Sequence, residues 1–300
     1  KLMATHRDAA DFMDSLPIAG VDGTIRRRMK NTAAEGNVRA KTGTLRWVNA
    51  LSGYVTSAAG ERLVFSLILN RDAVPPGRSG TEEIDLAAAS RRGVFVSNCP
   101  GRNAHAVAEL AWALVLACDR RVPDQVIRMR EGKWDRADFL KSAGLHGRTM
   151  GIVGLGQVGM EIARRAKTFG MGVVAWSRHL TEEKADAAGV HFCANIVNLA
   201  KLADVVCVCV ASNEETDGLI GDKFLNALKP GAILVNISSG RVIDEGALAA
   251  SVRDRGIRAG LDVFAREPEV DPALRTLDNV VLMPHAASAT RETRADMVAL

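Results

Sequence analysis

From Thr81 onward two hydrophobic patterns alternate along the chain. Short apolar-rich runs at 94–97, 151–153, 173–176, 205–210, 232–236, 259–264 and 280–283 predict strands, and 205–210, apolar throughout, is of the kind buried on both faces in parallel sheets. Between them polar and apolar residues recur at helical spacing, at 82–92, 104–118, 125–133, 157–169, 182–188, 222–228 and 244–255, with a last helix starting near Thr290. In the 104–118 stretch Val107, Leu110, Ala111, Leu114 and Val115 line one face. Residues 136–149 carry no clear period and read as loop. Strand and helix in alternation predict an α/β fold, a doubly wound parallel sheet. Residues 1–70 do not share the pattern. There, 50–56 and 62–70 are β-prone runs joined by Ser57-Ala58-Ala59-Gly60-Glu61, which predicts a hairpin in a separate small α+β fragment. Arg71 to Gly80, with Pro75-Pro76 and two glycines, reads as the linker.

One stretch carries specific chemistry. The run 151–153 ends in Gly154-Leu155-Gly156-Gln157-Val158-Gly159, and an amphipathic stretch and another apolar run follow. Strand, glycine turn, helix, strand is the context in which this spacing binds a dinucleotide. Gly154 permits the tight turn, Gly156 lets backbone approach a pyrophosphate, and Gly159 lets the helix lie against the strand. The helix N-terminus then offers free N–H groups and a positive dipole end. At the end of the second strand an acidic residue would select NAD, but Ser177 stands there, followed by Arg178. Loss of the carboxylate and gain of a cation predict that NADP is accepted as well as NAD, with Arg178 on the 2′-phosphate.

Three more segments fall at C-terminal ends of strands, where ligands bind in open α/β sheets. They are 235–245, 260–268 and 282–288, and they bring together a histidine, carboxylates and an arginine. A carboxylate beside a histidine keeps the imidazole protonated and oriented, so that it can give a proton to a carbonyl as hydride arrives. Composition adds exclusions. The net charge is +4 with no basic run longer than Arg26-Arg27-Arg28, which argues against nucleic acid. The longest apolar stretch, 110–118, is far short of a membrane span. The N-terminus lacks the apolar region of a signal peptide. The five cysteines show no C-x-x-C pattern and read as buried thiols of a reducing, cytoplasmic compartment; no metal site is expected.

Together with these residues, the segment 80–300 resembles the D-isomer-specific 2-hydroxyacid dehydrogenases. Asn98-Cys99-Pro100-Gly101, Asn103 and Val107-Ala108-Glu109 match that family's interdomain segment. The resemblance implies a Rossmann-type domain that exchanges hydride between NAD or NADP and a small 2-oxo or D-2-hydroxy acid of the glyoxylate, hydroxypyruvate or phosphoglycerate type, working as a homodimer. It puts the catalytic histidine on His285 and its paired glutamate on Glu267. It puts cofactor contacts on Gln157, Val158, Ile237, Ser238, Ala286, Ala287 and Ser288, and the nicotinamide end on Asp262. The family's substrate-anchoring arginine, in an Asn-x-x-Arg-Gly pattern, falls on Ser239, with Arg241 the nearest guanidinium. A hydroxyl there removes charge complementarity to the substrate carboxylate, so reduced activity is expected unless Arg241 substitutes.

Residues 1–70 resemble the C-terminal end of a penicillin-binding-protein-type D-alanyl-D-alanine carboxypeptidase, through Lys41-Thr42-Gly43-Thr44 and the flanking segments. That chemistry also needs S-x-x-K and a motif such as S-x-N, and neither occurs in these 300 residues, so an inactive fragment is expected. The implied organisation is a chimera joined near residue 75. Residues 1–75 are the carboxypeptidase-like fragment and linker, 76–103 a remnant of a substrate domain, 104–288 the NAD(P)-binding domain, and 289–300 a truncated helix. A non-catalytic dinucleotide-binding module is the alternative reading.

Overall fold

The computed structural model describes residues 16–18, 21, 31, 35–45, 48–56, 60–70 and 101–293. The expected linker, the helix at 82–92, the strand at 94–97, the segment 98–100 with Cys99, and the end of the last helix lie outside the described residues. The chain divides into two compact units, Lys1–Glu82 and Glu83–Val298.

The first unit contains an antiparallel sheet of β1 (Arg39–Leu45), β2 (Val48–Thr56) and β3 (Arg62–Asn70), in that order. The hairpin expected from the sequence is β2–β3, with Thr56 opposite Arg62. β1 carries Lys41-Thr42-Gly43 and pairs with β2, Lys41 facing Ser52 in the register.

The second unit is built on a seven-stranded sheet in the order β10-β9-β8-β7-β4-β5-β6, parallel throughout. Its elements in chain order are α1 (Ala104–Arg120), α2 (Val122–Arg130), β4 (Thr149–Val153), α3 (Gln157–Thr168), β5 (Gly172–Trp176), α4 (Glu182–Ala187), β6 (His191–Phe192), α5 (Ile196–Leu202), β7 (Val205–Val208), α6 (Asp222–Ala227), β8 (Ile233–Asn236), α7 (Glu245–Arg255), β9 (Arg258–Leu261), α8 (Pro272–Arg275) and β10 (Val280–Leu282). The central strand runs are apolar at most positions because both faces are covered. Val205, Cys207, Ile233 and Val235 enter one core layer with α1 and α3, while Val206, Val208, Leu234, Ala259 and Leu261 enter the other with α5, α6 and α7. From β4 the chain winds one way through β5 and β6 and the other way through β7 to β10. The crevice at that reversal opens above the C-terminal ends of β4 and β7.

Several expected boundaries are corrected. β7 ends at Val208, so Cys209 lies past the strand, although it packs into the same layer as Cys207. β9 ends at Leu261; Asp262 still donates its N–H to Asn236 O at 3.0 Å, and the chain then turns with Val263 and Phe264 buried. α2 begins at Val122 rather than Gln125, after Arg121 turns the chain at φ 51°. The helix spacing did not reveal α5, whose seven residues are started by Asn195 accepting from Asn198 N at 2.9 Å. Nor did it reveal α8, a single turn capped by Asp271. β6 is two residues long with both side chains exposed, too short for a period to show.

Candidate active site

The glycine turn has the shape its three glycines require. Gly154 sits at φ +103°, and a Cβ there would lie 2.8 Å from Cys209 O and Val210 N, so only glycine fits between β4 and the turn after β7. A Cβ on Gly159 would lie 2.2 Å from Gly154 O, which makes glycine the condition for α3 to pack on the strand. Gly156 is different: its backbone is extended and a Cβ would meet nothing within 4 Å. That opening lies at the mouth of α3, whose first helical bond is Met160 N to Gly156 O at 2.9 Å and whose N-cap Gly156 offers no side chain. Open space beside uncapped amides suits a pyrophosphate, so the residues present fit a dinucleotide. Val158 is half-buried at the start of α3, and the side-chain amide of Gln157 lies against the backbone of Gly101. Ser177 and Arg178 follow β5. The guanidinium of Arg178 pairs with Glu215, which stands in the turn after β7.

The turn after β8 is tied by Asn236, which is 1% exposed. Its Oδ1 accepts from Ser238 N and Ser238 Oγ at 3.1 Å each, and its Nδ2 donates to Ser239 O at 2.9 Å. Ile237 is buried, and Ser239 is half-buried at the head of a short 3-10 turn, Gly240–Val242. Gly240 is required because a Cβ would fall 1.8 Å from Phe264 C. Arg241 lies within that turn, and its Nη2 meets Asp217 Oδ2 at 2.5 Å. Ser239 and Arg241 therefore occupy one turn, with the guanidinium already on a carboxylate.

The ends of β9 and β10 bring the expected acid–base residues together. His285 Nδ1 and Glu267 Oε2 are 2.7 Å apart, and Glu267 Oε1 accepts from Phe264 N at 3.0 Å. The hydrogen bond to Glu267 raises the His285 pKa above its ordinary value, against the opposing effect of burial. For Glu267, burial works against the charge, but the hydrogen bonds from His285 and Phe264 N outweigh it and lower the pKa. Each partner thus favours the charged form of the other, imidazolium beside carboxylate. His285 holds a left-handed backbone, φ +50°, that side-chain-bearing residues rarely adopt. What imposes it is Asp262, wholly buried. Its carbonyl accepts from His285 N at 2.8 Å, and its two carboxylate oxygens accept from Ala286 N at 2.8 Å and Ala287 N at 2.9 Å. Burial raises the Asp262 pKa, and the two amides only partly offset it. Both carboxylate oxygens are thus engaged inside the protein, on the turn that also carries Ser288.

Three residues that motif reasoning did not nominate shape the site. Asn236 ties the anchoring turn. Glu245, at the start of α7, accepts from Ala265 N at 2.7 Å and fixes the loop that bears Glu267. Asp217 holds Arg241. Asn236 alone had a signal in the sequence, as the first residue of the Asn-x-x-Arg-Gly position; the other two act across loops distant along the chain. Among the described residues no helix is long and apolar enough to cross a membrane.

Residues 112–287 match the family model described as the D-isomer specific 2-hydroxyacid dehydrogenase NAD binding domain, and residues 1–90 match that of the D-Ala-D-Ala carboxypeptidase 3 (S13) family. A glyoxylate reductase of Thermococcus litoralis is 40% identical over 228 residues, covering 74% of this chain and 69% of that protein. A D-3-phosphoglycerate dehydrogenase of Methanocaldococcus jannaschii is 38% identical over 216 residues, 72% of this chain but 41% of the relative, so the chain spans less than half of that protein's length. Among solved structures, the NADPH-dependent glyoxylate/hydroxypyruvate reductase of Sinorhizobium meliloti, in complex with NADP and malonate, superposes with a TM-score of 0.66 at 35% identity, covering 74% of this chain and 68% of that one.

Proposed function

The chain belongs to the D-isomer-specific 2-hydroxyacid dehydrogenase family, and from that premise we propose that residues 104–288 form an NAD(P)-dependent oxidoreductase domain acting on a 2-oxo acid and its D-2-hydroxy acid, impaired at the substrate anchor. The observation that carries this reading is the His285–Glu267 pair at 2.7 Å, four strands along the sheet from the glycine turn. At ~4.8 Å per strand the two lie about 19 Å apart, a span for an extended dinucleotide to bridge. Gly154, Gly156 and Gly159, with the amides of Gln157 and Val158, would hold the pyrophosphate. Ser177 and Arg178 would hold the adenosine end. Ile237, Ser238, Ala286, Ala287 and Ser288 would line the nicotinamide end, with Asp262 beneath them. A bound nicotinamide supplies hydride to the carbonyl carbon of the 2-oxo acid. His285 Nε2 gives its proton to the carbonyl oxygen in the same direction and takes it back in the reverse one. Glu267 accepts the Nδ1 proton's hydrogen bond, which fixes the ring and stabilises its cation. Ser239 and Arg241 stand where the substrate carboxylate is anchored.

The specific observation that favours the second reading, a non-catalytic dinucleotide-binding module, is the same turn: a hydroxyl at Ser239 and a guanidinium engaged by Asp217. Titration with NADH and NADPH, followed by a screen of 2-oxo acids, separates the two. Oxidation of either cofactor by glyoxylate or hydroxypyruvate is the expected result. Binding without turnover would favour the module, and absence of binding would remove both.

The domain is proposed to pair with a second copy of itself. α2 and the segment after it expose Val126, Ile127, Met129 and, 78% exposed, Trp134, a run of apolar surface that a monomer seldom leaves in water. Light scattering on the intact chain tests this. The described thiols Cys118, Cys193, Cys207 and Cys209 are free, which fits the assignment to the cytoplasm. Residues 1–75 are proposed to be a carboxypeptidase-like segment; these 300 residues hold no S-x-x-K, so a fluorescent penicillin should give this chain no covalent label. Residues 76–103 and 289–300 remain proposed as the residue of a substrate domain and its closing helix.

A further inference from the structure

We infer that Glu215 is a specificity-determining residue that sets the choice between NAD and NADP by holding Arg178 across the mouth of the glycine turn. The inference rests on the dinucleotide-binding reading of that turn. β4 lies between β5 and β7 in the sheet, so a bond from the end of β5 to the turn after β7 crosses above the end of β4. Arg178 and Glu215 make that bond. The adenosine half of a dinucleotide that begins at Gly156 and runs along β5 has to lie beside it.

Glu215 is placed there by a stiff turn. Thr216 Oγ1 donates to Ala211 O at 2.9 Å and accepts from Asn213 N at 2.9 Å. Thr216 N donates to Asn213 O at 2.9 Å, and Glu215 N donates to Asn213 Oδ1 at 3.0 Å. The glutamate therefore stands at a fixed post over the crevice while its side chain stays 69% exposed. Arg178 is half-exposed and stands two residues past the end of β5, where the dinucleotide-binding reading would put the ribose 2′ substituent.

Two effects then act in the same direction. A 2′-phosphate must displace Glu215 from Arg178 to gain the cation, and it must lie near the carboxylate it displaced. A 2′-hydroxyl carries no charge and meets neither cost. Ser177 and Arg178 open the site to NADP, and Glu215 limits how far the balance moves. Because the pair is solvated, the effect is modest, a factor of about five to ten in affinity rather than thousands.

The test is a fluorescence titration of NADH and NADPH on the full chain, its E215Q and R178Q variants and the double variant. Glu215 is exposed, so E215Q is not expected to disturb folding. E215Q should tighten NADPH about five- to tenfold while the NADH dissociation constant moves less than twofold. R178Q should weaken NADPH, and in that background E215Q should recover only part of its single effect. If E215Q shifts both cofactors equally, or neither, Glu215 is not a determinant and the inference falls, while the dinucleotide reading stands. If no variant binds either cofactor, the dinucleotide reading itself falls, and the inference with it.

Discussion

The turn after β8 and the turn after β10 are built alike and finish differently. Each is drawn tight by one buried polar side chain whose bonds all go to that turn: Asn236 holds Ser238 and Ser239, and Asp262 holds Ala286 and Ala287. The second turn delivers His285 onto Glu267, the pair proposed to transfer the proton. The first delivers a hydroxyl, with the neighbouring guanidinium spent on Asp217. A scaffold can therefore keep its geometry while the group it presents changes, because the tie lies in the buried residue and the chemistry in the exposed one. On the proposed reading, the group for proton transfer is in place and charge complementarity to a substrate carboxylate is what is missing.

The comparison breaks most directly at its intact side. His285→Gln should lower turnover of glyoxylate or hydroxypyruvate by about a hundred- to ten-thousandfold, the usual worth of a positioned acid–base group, with the cofactor dissociation constant within twofold of the parent. A variant that keeps its rate would show that the pair does no proton transfer. The deficient side is tested by repair. Ser239→Arg should raise kcat/KM for a 2-oxo acid about ten- to a hundredfold, which corresponds to ~1.5–3 kcal/mol for a charge-assisted bond. No gain would mean that the turn, although tied, does not face the substrate.

How much of this was open to the sequence depends on the range of the forces involved. The central strands were legible because continuous apolar runs have few other uses, and the glycine turn because its spacing is a local steric requirement. His285 and Glu267 were found through resemblance, supported by their place at strand ends. What stayed hidden is the polar wiring between loops. Nothing near Arg178 points to Glu215, nothing near Arg241 points to Asp217, and Asp262 gives no local sign that both its oxygens serve the histidine turn. α5 and β6 were missed for another reason: seven residues started by an asparagine, and two exposed residues on an edge, are too short to establish a period.

If the buried ties are equivalent in structure, they should be equivalent in stability and unequal in activity. Asn236→Ala leaves the Ser238 N–H and Ser239 carbonyl without their partner. Asp262→Asn turns an N–H of the new amide toward one of the two backbone amides it must accept from. Each should cost about 1–3 kcal/mol in denaturant unfolding, the penalty for an unsatisfied buried polar group. Of the two, only Asp262→Asn should also slow turnover, because it loosens the turn that carries His285. Equal losses of rate would mean that both turns serve the chemistry.

The smallest expected effect is on pH, and it sharpens what the intact side contributes. The His285 pKa is raised by Glu267, so its stabilisation is complete below the ordinary histidine value of 6.5 and is lost as pH rises through the higher folded value. The Glu267 pKa is lowered, so its share is present above the ordinary glutamate value of 4.5 and is lost as pH falls through the lower folded value. The pair is therefore at full strength between those ordinary values, and it fades at both extremes. Reduction of a 2-oxo acid needs the imidazolium, so its rate should hold past the ordinary histidine value and then decline. Glu267→Gln removes the carboxylate that sustains the cation and should move the alkaline limb of the reduction profile toward lower pH, while the reverse oxidation gains at the same pH. Measuring both directions matters, because a variant that had simply lost its fold would slow both at every pH. An unmoved alkaline limb would show that Glu267 orients the ring without tuning it.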